Sequence, residues 1–332
     1  MDPLAWLLDS DPAIRWQALR DLSDASPAAV AAERARVAHE GLGARILECQ
    51  APNGAWHNAE EPEWLPTLFT LQLLRATGVD PRAAVVQAAL DRLESGFRWA
   101  AELGGKPFFE GETEPCINGG ALALGAYFDR PSLSLATRLL DEQLADGGWN
   151  CEAPKSRCSS FHTTICVLEG LLELERRVGS STELTTARRR GEEYLRRRHL
   201  FRRLSTGTVV DPRFLELSYP PRYRYDVLRA LDYFRGTGEA FDVRSMSEAR
   251  ALLEQKRTPA GRWLLEGTHD EALAFPFPET VGEPSRWNTL RALRVLRWVV
   301  GATSQRFAGT TQRNPSGSGP SASNACGSCG AT

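Results

Sequence analysis

The sequence predicts an all-α fold, an α6/α6 toroid (α/α barrel) in which helical hairpins form an inner and an outer ring. Three similar turns, each a Gln followed by Gly-x-Trp, occupy Gln50–Trp56, Gln143–Trp149 and Gln255–Trp263. Between these turns, apolar residues recur at helical spacing. A turn that repeats between helical segments is typical of an array of helical hairpins. Each turn also brings the chain to the start of a new helix.

The predicted helices alternate in character along the chain. Six are apolar or rich in small residues and are assigned to the inner ring, at roughly 12–22, 65–77, 117–129, 161–176, 223–235 and 286–300. Five are charged and amphipathic and are assigned to the outer ring, at roughly 29–48, 83–99, 132–144, 183–199 and 244–256. The short segment Pro3–Asp9 supplies a sixth outer helix. Six inner and six outer helices are the number that closes a ring. The alternative is an open solenoid of the same hairpins.

Composition places the chain among globular proteins with one large domain. It has 332 residues, of which 42% are hydrophobic and 25% charged, and a net charge of −2. This balance gives no reason to expect a nucleic-acid partner, and no window approaches the roughly 18 apolar residues of a membrane span. We predict a toroid domain at 1–305 and a disordered Gly/Ser/Pro-rich tail at 306–332. Without an export signal, the seven cysteines indicate reduced thiols and a cytoplasmic protein.

The Gln…Gly-x-Trp turns resemble the repeats of the terpene cyclase and protein prenyltransferase superfamily, whose members are α/α toroids. The resemblance covers most of residues 1–300, and the chain is similar in particular to small bacterial proteins described as squalene cyclase-like or prenyltransferase-like. Class II cyclases of this superfamily carry an Asp-rich DxDD motif. The nearest match here, Asp9-Ser10-Asp11-Pro12, departs from it at the last position. Protonation of a polyene by such a motif is therefore not expected.

A second signature of the superfamily is the zinc site of prenyltransferase β-subunits. There, an Asp-x-Cys opens one inner helix and a His opens the next. In this chain Glu114-Pro115-Cys116 precedes one predicted inner helix and His162 opens another. The resemblance thus implies Glu114, Cys116 and His162 as metal ligands, with zinc as the cofactor. These are a normal three-ligand zinc set with an open fourth position. The alternative is a buried Cys116 and a purely structural His162.

Other polar residues at the starts of inner helices are predicted to act on the substrate. Asp226 is a candidate general acid or base, together with Glu114 and His162, since burial in the mouth of the ring would raise its pKa. The alternative is a carboxylate stabilised by the helix dipole. Four more residues are predicted to bind the substrate: Arg15, Tyr225, Arg286 and Asn288. The two arginines either clamp an anionic group or form surface ion pairs with Asp11 and Glu283.

These features predict a squalene cyclase- or prenyltransferase-like enzyme, assisted by a metal, that acts on an isoprenoid or other apolar small molecule in the central cavity. One alternative is a metal-free acid–base cyclase that uses Asp226 and Glu114. The other is a non-catalytic ring that binds a lipid or a peptide. The turn tryptophans Trp56, Trp149 and Trp263 are predicted to be structural. Most inner aromatic residues are expected in the core, and some are expected to line the cavity.

Overall fold

The computed structural model describes residues 2–239 and 243–310, with side chains up to residue 299 apart from 243 and 244. Helices dominate this part of the chain. In order they are α1 (Pro3–Leu8), α2 (Pro12–Leu22), α3 (Pro27–Arg36), α4 (Gly41–Glu48), α5 (Trp64–Thr77), α6 (Ala84–Gly96), α7 (Pro115–Tyr127), α8 (Leu133–Asp141), α9 (Phe161–Val178), α10 (Thr182–Arg196), α11 (Val227–Gly236), α12 (Ser247–Gln255) and α13 (Arg286–Thr310). Two short strands, β1 (Trp263–Leu264) and β2 (Pro284–Ser285), pair antiparallel.

The inner ring consists of α2, α5, α7, α9, α11 and α13, and the other helices lie outside it. The carboxyl-terminal ends of neighbouring inner helices lie side by side. Arg75 at the end of α5 lies over the ring of Tyr127 at the end of α7. Arg176 near the end of α9 donates to the carbonyl of Gly236 at the end of α11. The inner helices therefore run parallel, and their carboxyl ends gather on one side.

Contacts between α13 and the segment around α2 close the ring. Arg294 of α13 donates to the side chain of Gln17 in α2 at 3.0 Å. At the start of α13, Arg286 donates to the carbonyls of Trp6 and Asp9, just before α2. Because the first and last inner helices are neighbours, the structure is the closed toroid rather than the open solenoid.

The three tryptophans of the repeated turns are fully buried and make the same two hydrogen bonds. Each indole N–H donates to a carbonyl ten residues earlier, at 2.6–2.7 Å: Trp56 to Ile46, Trp149 to Leu139 and Trp263 to Leu253. Each tryptophan amide donates to a threonine hydroxyl of the following inner helix, at 3.0–3.1 Å: Thr67, Thr164 and Thr289. The turn thus fastens an outer helix to the inner helix that follows, which confirms a structural role.

The turn glutamines join neighbouring hairpins. The Gln143 amide donates to Gly147 within its own turn and to Ala187 of α10, the next outer helix, both at 2.8 Å. The Gln50 amide likewise donates to the carbonyls of Gly54, within its own turn, and of Ala89 in α6.

The sequence analysis predicted one outer helix at 29–48, and this is wrong in one respect, because the structure has two helices there, α3 and α4. Gly41 starts α4 with φ +64°, a conformation that costs glycine little. A Cβ at this position would lie 2.2 Å from a carboxylate oxygen of Asp11. The approach matters because Asp11 accepts from the amides of Ala13 and Leu42 at 2.8 and 2.7 Å, which caps α2 and the start of α4 together.

Helix α7 is buried from Pro115 to Ala126, as its lack of charge predicts. It packs against α9 at backbone distance. A Cβ at Gly119 would lie 2.5 Å from the carbonyl oxygen of Cys166, and one at Gly170 would lie 2.6 Å from that of Gly119. Glycine is required at both positions for the two helices to approach this closely.

Helix α13 extends to Thr310, beyond the predicted domain end at residue 305. The rest of the predicted tail, residues 311–332, lies outside the described residues. Within the described part, no helix combines the length and apolar character needed to cross a membrane.

We expect Trp149→Ala to lower the free energy of unfolding by about 3–5 kcal/mol, because it removes a buried indole. Trp149→Phe should cost about 1–3 kcal/mol, since it leaves the Leu139 carbonyl without its donor. Urea denaturation monitored by circular dichroism measures both. Leu133→Ala, at a position 62% exposed on α8, is the control. A Trp149→Phe variant as stable as the wild type would show that the indole hydrogen bond contributes nothing.

Candidate functional site

A cavity of about 380 Å³ occupies the centre of the ring and is lined by residues from all six inner helices. This volume lies within the range of small-molecule sites. Three buried aromatic residues, Phe69, Tyr219 and Trp287, form the floor of the cavity. The guanidinium groups of Arg222 and Arg291 lie over the rings of Phe69 and Tyr219. Tyr219 and Trp287 are stacked, with ring centroids 4.8 Å apart.

Exposure of the lining shows which end of the cavity is open. Trp287, near the start of α13, is 5% exposed. The side chains of Arg20 and Arg176, near the carboxyl ends of α2 and α9, are 45% and 48% exposed. The cavity therefore opens where the inner helices end, whereas the sequence analysis expected the site at the side where they begin.

The segment before α11 closes the opposite end. Tyr219, Pro220, Pro221 and Arg222 all line the central cavity from this segment. Pro221 also lines a second cavity of about 70 Å³ on the far side, which includes His162, Tyr225, Asp226 and His269. The two cavities are thus separated by one stretch of chain, and three of the predicted site residues, His162, Tyr225 and Asp226, line the smaller one.

The central cavity is rich in positive charge. Nine arginines line it: Arg20, Arg34, Arg75, Arg176, Arg222, Arg229, Arg235, Arg291 and Arg294. Three carboxylates line it: Glu169, Glu173 and Asp232. This surplus stands out against the net charge of −2 for the whole chain.

All three lining carboxylates are paired with arginines. Glu169 makes a two-pronged pair with Arg229 at 2.8 and 2.7 Å. Burial opposes the charge of Glu173 and Asp232, but the neighbouring guanidinium groups outweigh it and hold the pKa of each carboxyl below its usual value. Both groups are therefore ionised at neutral pH and are unsuited to act as proton donors.

The structure brings two of the three predicted metal ligands together. Donor atoms of Glu114, Cys116 and Cys151 all lie within 4.8 Å of one another. Ligands of a tetrahedral zinc ion stand about 3.5 Å apart, so this donor set fits the metal with small side-chain adjustments. Cys151, in the loop after the second Gly-x-Trp turn, takes the third place that the sequence analysis gave to His162.

His162 has a different set of contacts. Its Nδ1 accepts from the amide of Tyr225 at 2.8 Å, and its ring meets that of Phe214 edge-on, with centroids 5.2 Å apart. Burial, reinforced by the positive charge of Arg229 and Arg224, lowers the pKa of His162 to about 4. The imidazole is therefore neutral at neutral pH and is committed to the backbone before α11.

Asp226 caps α11 by accepting from the amide of Arg229 at 2.8 Å, which is the dipole-stabilised arrangement considered as the alternative. Burial raises its pKa despite the opposing charge of Arg291. The carboxyl lines only the smaller cavity.

The predicted substrate-binding arginines make structural contacts. Arg15 pairs with Glu33 at 2.6 Å, not with Asp11. Arg286 donates to the carbonyls before α2 described above, and its predicted partner Glu283 is not among these acceptors. Neither arginine lines the central cavity.

Tyr225 and Asn288 also hold the backbone. The hydroxyl of Tyr225 donates to the carbonyl of Leu200, and the amide of Asn288 donates to the carbonyls of Leu217 and Leu264 at 2.8 and 3.0 Å. Asn288 therefore fixes the segment that closes the amino-terminal end of the cavity. Tyr225 lines the smaller cavity only.

The cavity arginines were missed by the sequence analysis. Arg75, Arg176 and Arg235 each lie in the last turns of an inner helix. Basic residues are common there because they favour the helix dipole, so each alone carries no functional signal. Their recurrence on three inner helices is the pattern that indicates the open end of the central cavity. Among the predicted inner aromatics, Phe69, Tyr127 and Trp287 line the cavity.

No protein-family model matches the chain, and no curated protein matches it. Solved structures of similar fold exist. The type II terpene cyclase MstE from Scytonema is 16% identical, with a TM-score of 0.45 over 88% of this chain and 87% of that one. A protein from Actinoplanes is 15% identical, with a TM-score of 0.46 over 87% and 89%. A variant of MstE in complex with geranylgeranyl dihydroxybenzoate is 16% identical, with a TM-score of 0.42 over 88% of this chain and 87% of that one.

The lowered pKa of His162 predicts a pH-dependent stability. The unfolded chain takes up this proton near pH 6.5, but the folded chain does so only near pH 4. The free energy of unfolding should thus fall as pH is lowered from about 6.5 to about 4, by at most about 1.4 kcal/mol per pH unit from this residue.

His162→Asn keeps an acceptor for the Tyr225 amide and cannot titrate. We expect it to reduce the slope of the free energy of unfolding against pH between pH 6.5 and 4, as measured by urea denaturation at each pH. Part of the slope should remain, because burial also lowers the pKa of His269 to about 4. His57→Asn, at a half-exposed side chain, is the surface control. An unchanged slope for His162→Asn would contradict the assignment.

Proposed function

We propose that the protein holds an isoprenoid or other largely apolar small molecule in its central cavity, in the manner of a cyclase- or transferase-like enzyme. The observation that carries this proposal is the cavity of about 380 Å³, lined from all six inner helices above an aromatic floor. Aromatic faces suit an apolar chain and also stabilise positive charge that develops on it. The ligand enters from the side where the inner helices end.

The cavity supports binding and electrostatic stabilisation better than protonation of the substrate. Arginine partners hold the pKa of Glu173 and Asp232 below its usual value, whereas a general acid needs a carboxyl whose pKa is raised. The acid–base alternative relies on Asp226 and Glu114, neither of which lines the central cavity. The cavity beside Asp226, about 70 Å³, has room for only a few water molecules. We therefore favour the central cavity as the substrate site.

Filling the cavity tests this proposal. Ala123, on α7, is buried and lines the cavity, so Ala123→Phe should occupy space that the ligand needs. We expect farnesol to bind the wild type and to bind Ala123→Phe at least about tenfold more weakly, measured by quenching of tryptophan fluorescence. Leu133→Phe, on the exposed face of α8, is the matched control. Equal affinity for the wild type and Ala123→Phe would refute the cavity as the site.

A second proposal concerns a metal at the amino-terminal side of the ring. The convergence of Glu114, Cys116 and Cys151 supports it, because a carboxylate and two thiolates are normal zinc ligands. When bound, zinc would supply a Lewis acid with a free coordination position. Glu114 is exposed and Cys151 is half-buried, so a small ligand can reach the group from outside.

Metal content separates the two candidate ligand sets. We expect about one zinc ion per chain in protein purified with added zinc, measured by elemental analysis after gel filtration. Cys116→Ser and Cys151→Ser should lose the metal, and Cobalt(II) should give a thiolate charge-transfer band that both variants lack. Cys158→Ser, at an exposed cysteine of the same loop, is the control. If Cys151→Ser kept its zinc and His162→Asn lost it, the result would instead support the ligand set Glu114, Cys116 and His162.

A further inference from the structure

Two thiols lie close together on the amino-terminal side of the ring. Cys116 is in the first turn of α7, and Cys151 follows the second Gly-x-Trp turn by two residues. Their sulfur atoms lie within 4.8 Å of each other, and both cysteines are free. A disulfide bond requires a sulfur–sulfur distance of about 2.0 Å, so the two atoms need to approach by no more than about 3 Å.

Each thiol has a polar neighbour that binds it only weakly. The Cys116 thiol donates to a carboxylate oxygen of Glu114 at 3.6 Å. The Cys151 sulfur lies 3.4 Å from the hydroxyl oxygen of Thr163. Because thiols are weak donors and weak acceptors, both side chains can leave these contacts at small cost.

The loop that carries Cys151 is the movable side of the pair. Cys116 belongs to α7, whose backbone is held against α9 at Gly119 and Gly170. Residues 152–155, directly after Cys151, are exposed. An exposed loop opens more readily than a helix buried along its length. We therefore expect the loop, and not the helix, to bring the two sulfurs together.

Different exposure gives the two cysteines different roles. Cys116 is 7% exposed, whereas Cys151 is half-buried, so a reagent in solution reaches Cys151 first. Thiol–disulfide exchange begins with attack on the reagent by an accessible sulfur and passes through a mixed disulfide. Cys116 is placed to resolve that mixed disulfide, because it needs to reach only Cys151.

We propose that Cys116 and Cys151 form a reactive dithiol that low-molecular-weight disulfides oxidise to an intramolecular disulfide bond. The sulfur of Cys151 attacks one sulfur of the reagent, whose S–S bond breaks, and one small thiol leaves with the proton of Cys151. The sulfur of Cys116 then attacks the sulfur of Cys151, and the second small thiol leaves with the proton of Cys116. The protein loses two electrons and two protons, and the reagent is reduced to two thiols.

The disulfide bond and the zinc ion proposed above exclude each other. Zinc binds cysteine as the thiolate, and the bond removes both sulfur ligands at once. The dithiol itself needs no metal, since the reaction uses only the two sulfurs and the reagent. Oxidation of Cys151 and Cys116 would therefore control whether this side of the ring can hold a metal.

Peptide mapping of the full chain after treatment with oxidised glutathione tests the dithiol. Metal is first removed with a chelator, and the protein is kept folded throughout. We expect a pair of peptides joined through Cys116 and Cys151, which separates again on reduction. Mapping is required, and not the total mass alone, because the chain has seven cysteines.

Two variants separate the roles of the cysteines. Cys116→Ser should stop the reaction after the first step and retain a glutathionyl group on Cys151. Cys151→Ser should lower the modification of Cys116 at least about tenfold, because a buried thiol reacts slowly. Cys158→Ser, at an exposed cysteine of the same loop, is the matched control and should form the same bond as the wild type.

The inference would be overturned if the wild type formed no bond between Cys116 and Cys151 while the exposed Cys49 carried a glutathionyl group. A bond from Cys151 to Cys158 or to Cys166 in its place would also overturn it. If Cys116→Ser does not fold, mapping of the wild type still decides.

Zinc distinguishes this inference from the proposed metal site. Protein loaded with zinc should form the bond at least about tenfold more slowly, because the thiolates are then coordinated. An unchanged rate would count against the zinc site and leave the dithiol standing. Zinc binding by a protein that glutathione disulfide does not oxidise would remove the dithiol and leave the zinc site.

Discussion

The fold depends on the paired hydrogen bonds of the Gly-x-Trp turns. A buried indole N–H and a buried tryptophan amide must each find an acceptor. In all three turns the first finds a carbonyl of the preceding outer helix, and the second finds a threonine of the following inner helix. Each turn thereby fixes the position at which an inner helix starts. Repetition of this constraint makes the inner helices parallel and leaves a cavity along their common axis.

The two ends of that axis have different chemistry. At the starts of the inner helices, the segment before α11 fills the opening, held there by Asn288, and the neutral His162 packs beneath it. At the other end, side chains from the last turns of five inner helices surround the opening, and most of the charged ones are arginines. Positive charge is concentrated at this opening but not confined to it, because Arg222 lies over the ring of Phe69 at 4.6 Å and Arg291 over that of Tyr219 at 5.5 Å.

The ring was predictable from sequence because its determinants are local. A Gln, a Gly-x-Trp and a helical period lie within one segment, and the three copies reinforce each other. The candidate site was less predictable because it depends on relations between distant segments. Glu114 and Cys116 share one turn, but Cys151 reaches them only through a loop whose path no periodicity reveals. Likewise, Arg75 and Arg176 resemble ordinary helix-ending residues until packing brings both to Glu173. The break at Gly41 was missed because it requires Asp11, thirty residues away.

The wall of the ring is uneven in stiffness. Between α7 and α9, Gly119 and Gly170 allow the two backbones to touch, and no side chain that could reorient lies between them at these positions. Between α11, α13 and α2 the spacing is set instead by long guanidinium side chains that reach Asp232 and Gln17. Ligands of different width would accordingly be accommodated by rotamer changes between α11, α13 and α2, while α7 and α9 keep their spacing.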